Sequence, residues 1–303
     1  MSNEIAAQIE SAPATRQSSL VRDIFILLKM RMGFLAAIIA LAGYYMGSTG
    51  HVSFSGMLHA FFGTWIVSAG AFLLNMYLER DIDRLMARTA DRPLPAGRMA
   101  PTPVLVAGLL TSAFGVAYLA ITCNLLAGAA GAAAMFGYVY VYTPLKRVSS
   151  LNTIVGSFPG AMPPIIGWAA ASNSITSGAI VMFMILFLWQ VPHFLALAWM
   201  HRDEYKNAGF VMISRDDPDG IMTTRQNLIY AIAYVLITLL PTLFGLTGMW
   251  YFATAAISGL WFIWLCLKWY AHRDRECAVQ VFVATLFLAP LIYIMMVIDK
   301  VPL

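Results

Sequence analysis

The chain has 303 residues, of which 60% are hydrophobic and only 11% are Asp, Glu, Lys or Arg. Soluble domains carry about 25% charged residues, so this composition excludes a water-soluble globule, and the high apolar content excludes a disordered chain. The three cysteines lie far apart without CxxC spacing and indicate neither a disulfide framework nor a cysteine-based zinc site. The composition therefore predicts a protein that crosses a membrane several times.

Nine apolar runs are long enough to cross a bilayer, since a membrane-spanning helix needs about 20 largely apolar residues. The runs are almost continuously apolar, as in 179–200, whereas membrane-spanning β-strands would alternate between apolar and polar residues. We therefore predict an all-α fold, with a mobile cytoplasmic tail at 1–23 and a single nine-helix transmembrane domain at 24–303. The predicted spans are 24–47, 57–79, 102–122, 125–142, 151–171, 178–200, 228–247, 249–267 and 278–298.

Charged residues fall almost entirely on one side of these spans. When the loops are assigned to alternate sides, every Lys and Arg except Lys300, and every Asp and Glu except Asp299, lies on the side of the N-terminus. Because cytoplasmic loops retain basic residues, we predict a cytoplasmic N-terminus and an external C-terminus in a bacterial inner membrane. Basic loops account for the pI of about 9.0 without nucleic-acid binding. This retention applies to basic residues and not to acidic ones. The acidic residues on the same side therefore indicate a site that uses both positive and negative charges.

A polar face follows the second predicted span. Asn75, Glu79 and Asp83 are spaced four residues apart, so they share one face if the helix continues to residue 83. Their oxygen atoms suit Mg²⁺, which proteins commonly share with substrate phosphates. Guanidinium groups, which match phosphate oxygens, run through the segment at Arg80, Arg84, Arg88 and Arg92. A solvated network of ion pairs is the alternative, but an asparagine within an apolar run needs a partner, which favours a metal–diphosphate site.

Three segments together resemble a known family. The run N-x-x-x-E-x-x-x-D followed by RTADRPLPAG resembles the first acidic motif of the UbiA-type intramembrane prenyltransferase superfamily. YTPLKR at 142–147 is similar to the motif between helices four and five of that family, and 151–170 and 189–205 resemble its protohaem-farnesylating branch. The resemblance covers the chain after residue 24. It implies nine helices and an isoprenoid diphosphate held by Mg²⁺ on Asn75, Glu79 and Asp83.

The resemblance also implies which other residues contact the diphosphate, namely Arg84, Arg88, Arg92, Tyr142, Lys146, Arg147, Asp203 and Lys206. Tyr138, Tyr140 and Tyr142 alternate along the fourth span and do not share a helical face, so only Tyr142 is placed in the site. At the end of the first span, Lys29 and Arg31 either reach the diphosphate or extend to lipid phosphates. Composition alone favours the lipid interpretation.

The second acidic motif departs from that of aromatic prenyltransferases of this type, which carry several aspartates on the sixth helix and the following loop. The matching stretch here offers His193, His201, Asp203, Lys206, Asp216, Asp217 and Asp219. A second full metal cluster is therefore not expected, and the pattern favours the haem branch. We predict that His193 is catalytic at the haem substrate, as an iron ligand, a propionate partner or a proton-transfer group. The alternative is a buried histidine bonded to a neighbouring helix.

The resemblance implies one hypothesis: farnesyl transfer from farnesyl diphosphate to the vinyl group of haem B, giving haem O, by Mg²⁺-assisted loss of diphosphate and capture of the allylic cation. Farnesyl diphosphate, haem B and the lipid bilayer are the expected partners, and a downstream haem A synthase or oxidase assembly is a further candidate. The alternatives are prenylation of a quinone or aromatic acceptor, transport of an anionic lipid or metabolite, and scaffolding of an oxidase. The histidine-bearing motif counts against a quinone or aromatic acceptor. The absence of a visible repeat counts against a transporter, and the shared face of Asn75, Glu79 and Asp83 counts against a scaffold.

Overall fold

A computed structural model describes residues 19–302 of the chain. Every regular element within that range is helical, which confirms the predicted all-α class. Residues 1–18, most of the predicted tail, lie outside the described residues. The first helix begins at Leu20 with Ser19 as its N-cap, so helical structure starts four residues before the predicted boundary at 24.

Twelve α-helices of six residues or more follow one another in the described part of the chain. In chain order they are α1 (Leu20–Leu27), α2 (Met30–Gly47), α3 (Phe54–Asp83), α4 (Pro101–Thr122), α5 (Leu125–Phe136), α6 (Asn152–Gly160), α7 (Pro163–Ser172), α8 (Ser177–Met200), α9 (Arg202–Asn207), α10 (Ile221–Leu243), α11 (Met249–His272) and α12 (Arg275–Ile298). A π-helix (Gly137–Tyr142) and a single α-turn (Thr143–Leu145) extend α5, and a 3-10 helix (Ile213–Asp216) precedes α10.

Nine helical segments within residues 19–302 are long and apolar enough to cross a membrane, as predicted. The protein is therefore a multi-pass membrane protein. The helix that leads into the first span breaks at Lys29, where the backbone is left-handed with φ 43°. The fifth span breaks between α6 and α7, just before Pro163 and Pro164, because a proline ring clashes with the preceding helical turn and offers no N–H to it.

Small residues let the helices approach one another closely. A Cβ atom added at Gly70 of α3 would overlap Ser112 of α4, and one added at Gly167 of α7 would overlap the carbonyl oxygen of Ala40 in α2. The alanine- and glycine-rich stretch 127–134 lies in α5, where its buried residues pack against α4. Helix association in lipid depends on such close backbone contact.

Helices that follow one another in the chain are neighbours in the bundle, and additional contacts of α2 with α7 and of α8 with α12 close it. The connecting segments 84–100, 146–151, 201–220 and 273–274 lie at one end of the bundle, which we call the charged end. The tips at 48–53, 123–124, 173–176 and 244–248 define the opposite end.

Within the described residues the opposite end carries only two of the charged amino acids, Asp299 and Lys300. The Lys300 amine donates to the carbonyl oxygens of Tyr45 (2.6 Å) and Ser48 (2.7 Å) at the end of α2. A carboxylate oxygen of Asp299 accepts from the Tyr251 amide (2.7 Å) in the first turn of α11. The segment after α12 thus caps two other helices and ties the first span to the eighth.

Candidate active site

The polar face of α3 lies at the charged end. The helix continues to Asp83, as the i, i+4 spacing required, and Asn75, Glu79 and Asp83 are exposed by only 0%, 6% and 1%. Polar side chains this deeply buried need partners, because an unpaired buried charge is strongly unfavourable. Each of the three side chains has one.

Each of them contacts a basic side chain from another segment. The Lys146 amine lies 2.6 Å from Glu79 Oε1, Arg92 Nη1 lies 2.7 Å from Asp83 Oδ2, and the Lys29 amine donates to Asn75 Oδ1 at 3.2 Å. We call these six residues the acid–base cluster. Removing one partner of a buried ion pair costs about 3–5 kcal/mol, so these contacts hold the surrounding loops against α3.

Lys29 enters the cluster through the left-handed break before α2. The break turns its side chain inward, and the amine lies 5.2 Å from the centre of the Phe72 ring. Burial, together with the charge of Arg92, lowers the pKa of Lys29 to about 7, although the Glu79 carboxylate opposes this. The interpretation that Lys29 extends to lipid phosphates was therefore wrong. Arg31, two residues later, is exposed.

Lys146 follows the π-helix and the turn that extend α5. Its amine lies 4.5 Å from the centre of the Tyr142 ring and 5.9 Å from that of Phe210. Burial alone would lower the pKa of Lys146, but the Glu79 carboxylate more than offsets it, so the pKa lies above its usual range. The amine therefore stays protonated at neutral pH. Tyr142 and Lys146, both predicted site residues, are brought to the cluster.

The π-helix brings in Tyr138, which was not among the predicted site residues. Tyr138 OH lies 3.5 Å from Asn75 Oδ1, and its ring lies 5.6 Å from that of Tyr142. Asn75 also donates to the hydroxyl of Thr143 (3.1 Å), which donates in turn to the Tyr138 carbonyl (2.9 Å). The prediction that the three tyrosines share no helical face holds for Tyr140 but is wrong for Tyr138 and Tyr142, which are four residues apart. Four residues complete almost one turn of a π-helix, so both rings lie on one side.

The loop after α3 folds back onto the end of α3. The Thr89 hydroxyl donates to the Asp83 carbonyl (2.8 Å), and Arg84 Nε donates to the Pro95 carbonyl (3.1 Å). Gly97 completes the turn with φ 74°, a conformation that favours glycine. This fold places Arg92 beside Asp83.

Five of the residues predicted to bind the diphosphate lie away from the acid–base cluster, and all five are exposed. Arg88 donates to the hydroxyl of Tyr205 (3.3 Å), and Arg84 bonds to the backbone of its own loop. The exposed residues of the group are Arg84, Arg88, Arg147, Asp203 and Lys206. Since none of them makes a contact with the cluster that the structure describes, their role at a diphosphate stays a prediction.

The second acidic stretch forms no metal cluster among the described residues. Asp217 is buried and accepts hydrogen bonds from the amides of Met222 (3.2 Å) and Thr223 (2.7 Å), which caps α10. Asp216 lies 3.8 Å from Arg215. The cap explains why α10 begins at Ile221 rather than at the predicted 228, since a carboxylate at a helix N-terminus stabilises a polar first turn.

His193 lies between α8 and α12, on helices that carry no member of the acid–base cluster. Its Nδ1 atom lies 2.9 Å from the Thr285 hydroxyl. The ring stacks on Phe282 (4.7 Å between centroids) and on Trp189 (5.1 Å). This arrangement matches the alternative of a histidine bonded to a neighbouring helix, and its catalytic role stays a prediction.

The cluster can hold a metal only together with another ligand. Within residues 19–302, no group of three or more His, Cys, Asp or Glu side chains is placed so that it could hold a metal ion by itself. Asn75, Glu79 and Asp83 supply one amide and two carboxylates, the oxygen ligands that Mg²⁺ prefers, and phosphates commonly complete such sites. The three basic residues would neutralise those phosphates. The donor set therefore fits Mg²⁺ shared with a diphosphate.

Comparison with known proteins gives a consistent result over most of the chain. Residues 36–291 match the family model described as the UbiA prenyltransferase family. The protoheme IX farnesyltransferase of Solibacter usitatus is 37% identical over 289 residues, covering 92% of this chain and 99% of the relative. The protein of the same name from Alkalihalophilus pseudofirmus is 37% identical over 304 residues, covering 98% of this chain and 96% of the relative.

Solved structures share the fold at low sequence identity. A digeranylgeranylglyceryl phosphate synthase superposes with a TM-score of 0.78 at 16% identity, covering 92% of this chain and 98% of the other. A UbiA homologue from Archaeoglobus fulgidus bound to DMAPP and Mg²⁺ superposes with a TM-score of 0.67 at 14% identity, covering 90% and 99%. The predicted nine-helix architecture is thereby confirmed at the level of the fold.

Proposed function

The chain belongs to the UbiA prenyltransferase family, and on that premise we propose that it transfers a farnesyl group from farnesyl diphosphate to the vinyl group of protohaem IX, giving haem O. The relatives named protoheme IX farnesyltransferase are 37% identical over nearly the whole chain. Their name supports both haem as the acceptor and farnesyl as the transferred group. The observation that carries the proposal is the buried acid–base cluster, because it matches the head group of a prenyl diphosphate.

Asn75, Glu79 and Asp83 would hold Mg²⁺. When bound, the metal supplies positive charge to the diphosphate oxygens as the carbon–oxygen bond breaks. This assignment is supported by the burial of the three side chains on one face of α3 and by the Archaeoglobus homologue, which is bound to DMAPP and Mg²⁺.

The basic residues of the cluster would stabilise the leaving diphosphate. Lys146, Arg92 and Lys29 reach the cluster from three different segments, so they can surround a diphosphate rather than line one side of it. Charged donors fixed before the reaction stabilise developing charge more than mobile solvent does. Tyr142 would hold the Lys146 amine over its ring and in place.

The allylic cation that remains after diphosphate loss must be kept from bulk water, because early capture by water yields farnesol. The α3 face is enclosed by the loop at 84–100, by the π-helix and by the segment around Lys146, which supports a water-poor site. The vinyl group of the haem would capture the cation. Water would then add to the resulting haem-side cation, losing a proton to give the hydroxyethylfarnesyl group.

His193 would act at the haem. Thr285 engages Nδ1, so Nε2 is the ring nitrogen that would face an iron or a propionate, and the bond to Thr285 would fix the orientation of the ring.

The charge distribution supports an orientation. The charged end would face the cytoplasm of a bacterium, with the chain in the inner membrane, the N-terminus inside and the C-terminus outside. Farnesyl diphosphate would then reach the acid–base cluster from the cytoplasmic side.

The test is an assay of the purified protein in detergent with Mg²⁺, haem B and farnesyl diphosphate. We expect haem O by mass spectrometry, together with released diphosphate. Farnesylation of an aromatic acid or quinone in place of haem would assign the chain to the other acceptor class. Absence of any prenylated product from folded protein would contradict the proposal.

A further inference from the structure

The two carboxylates of the acid–base cluster are already paired. Lys146 lies 2.6 Å from Glu79 and Arg92 lies 2.7 Å from Asp83, and both carboxylates are almost completely buried. A metal that approaches this cluster meets no net negative charge. It meets two neutralised pairs and, at Lys29, a third amine that hydrogen-bonds to the remaining candidate ligand.

The charge balance changes with what is bound. A divalent cation alone would add two positive charges to paired carboxylates and three nearby bases. A trianionic diphosphate alone would leave excess negative charge beside two carboxylates. The two together add a single negative charge, which the basic residues can balance, and buried charges are tolerated only when they are balanced.

We infer that Mg²⁺ and the donor diphosphate bind as a pair and that Lys146 and Arg92 move from the carboxylates to the diphosphate as they bind. The inference rests on the proposed function, because it assumes a prenyl diphosphate as the ligand. Glu79 and Asp83 are released for the metal by the same step that gives the diphosphate its basic partners. The ion pairs therefore keep a metal out of the cluster until the donor arrives.

The positions of the partners favour this exchange. Both carboxylates project from α3, a continuous helix of 30 residues, whereas Lys146 and Arg92 belong to connecting segments. Lys146 carries its charge on a flexible four-carbon stem, which can swing while the Tyr142 ring still supports the amine. The helix thus fixes the metal ligands, and the connecting segments supply the groups that change partner.

The experiment measures Mn²⁺, an EPR-visible substitute for Mg²⁺, bound to the full chain in detergent with and without farnesyl thiodiphosphate, which resists ionisation. We expect the analogue to tighten Mn²⁺ binding by about 10- to 100-fold, and Mn²⁺ to tighten analogue binding by the same factor, since coupling between two ligands is reciprocal. Equal Mn²⁺ affinity with and without the analogue would overturn the inference while leaving the proposed donor intact. Failure of the analogue to bind under both conditions would overturn the proposed donor, and the inference with it.

A variant tests the role of the ion pair directly. Lys146→Met leaves Glu79 without its cation, so we expect Mn²⁺ alone to bind about 10-fold more tightly than in the unaltered protein, while analogue binding weakens. The matched control is Lys268→Met, which removes a lysine of α11 that bonds to Gln280, and it should change neither affinity. If Lys146→Met does not fold, Arg92→Met applies the same test at Asp83. Unchanged Mn²⁺ affinity in the folded variant would overturn the inference.

Discussion

The two ends of the bundle hold buried or half-buried charges in different ways. At the opposite end, Lys300 bonds to backbone carbonyls of Tyr45 and Ser48, and Asp299 accepts from a backbone amide. At the charged end, Glu79 and Asp83 bond to basic side chains. Backbone groups of a helix end are fixed in place, whereas a side-chain partner can rotate away.

This difference separates charges that build the fold from charges that can exchange partners with a ligand. Both kinds are costly to leave unpaired in a membrane protein, so burial alone does not distinguish them. The identity of the partner does. By this criterion the acid–base cluster is the part of the molecule suited to bind and release a charged ligand, and the cap formed by the chain after α12 is structural.

The largest effect is expected from neutralising the metal ligands. Glu79→Gln and Asp83→Asn keep the shape of each side chain but remove its charge, so farnesyl transfer should fall by about 100-fold or more in initial-rate assays of haem O formation. The control is Asp81→Asn on the same helix, whose side chain is 67% exposed and whose loss should have little effect. Equal activity in all three variants would remove the distinction between the two ends.

Lys29 is expected to have the next largest effect. Lys29→Met removes a charged donor from the cluster and should raise the KM for farnesyl diphosphate by about 10-fold, as loss of a charge-assisted hydrogen bond predicts. The measurement is a steady-state titration of the donor at saturating haem. Arg31→Met, at an exposed position two residues further along the chain, is the matched control. A similar KM increase in both variants would indicate a general surface-charge effect instead.

His193 tests whether a side-chain partner marks a functional residue, because its hydrogen-bond partner is the side chain of Thr285. If that contact orients the ring for haem, His193→Ala should weaken haem binding several-fold, on the order of 1 kcal/mol, while farnesyl thiodiphosphate binding is unchanged. The readout is the haem absorption spectrum during titration. Normal haem affinity and turnover would assign the residue to helix packing alone.

The smallest effect on catalysis is expected at the opposite end. Lys300→Met removes the cap of α2, and loss of its hydrogen bonds should lower the free energy of unfolding by about 2 kcal/mol. Denaturation in detergent measures this change. Turnover per folded molecule should not change, and a clear decrease in that quantity would show that the two ends are coupled.

Much of the fold could be predicted because apolar run length and charge placement are local properties of the sequence. The same holds for Asn75, Glu79 and Asp83, whose i, i+4 spacing needs only a continuous helix. The position of the arginines after Asp83 is not a local property of this kind. α3 ends at Asp83, so Arg88 and Arg92 do not continue its face, and Arg92 reaches the cluster only because its loop folds back.

Other site residues depend on backbone geometry that spacing cannot show. Lys29 points inward because its own backbone is left-handed, a conformation that lysine rarely adopts. Tyr138 lies four residues before Tyr142, so spacing alone places the two rings on one side, but spacing does not show that the backbone carrying them at the end of α5 is a π-helix. Both departures from regular helix occur next to the acid–base cluster, where unusual backbone conformations tend to concentrate.

The π-helix at Gly137–Tyr142 has a consequence for insertions and deletions in this chain. A π-turn accommodates one residue more than an α-turn, so deleting a single residue from this segment would let it relax into regular α-helix. The helix would remain intact and apolar, and the residues after it would keep their rotational register relative to α3, because the π-turn had already absorbed the extra residue. Lys146 would still face Glu79. Deleting one residue from a regular helix such as α3 has no such reserve and rotates everything after it by about 100°, so the π-helix tolerates the loss of one residue better than the regular helices of the bundle do.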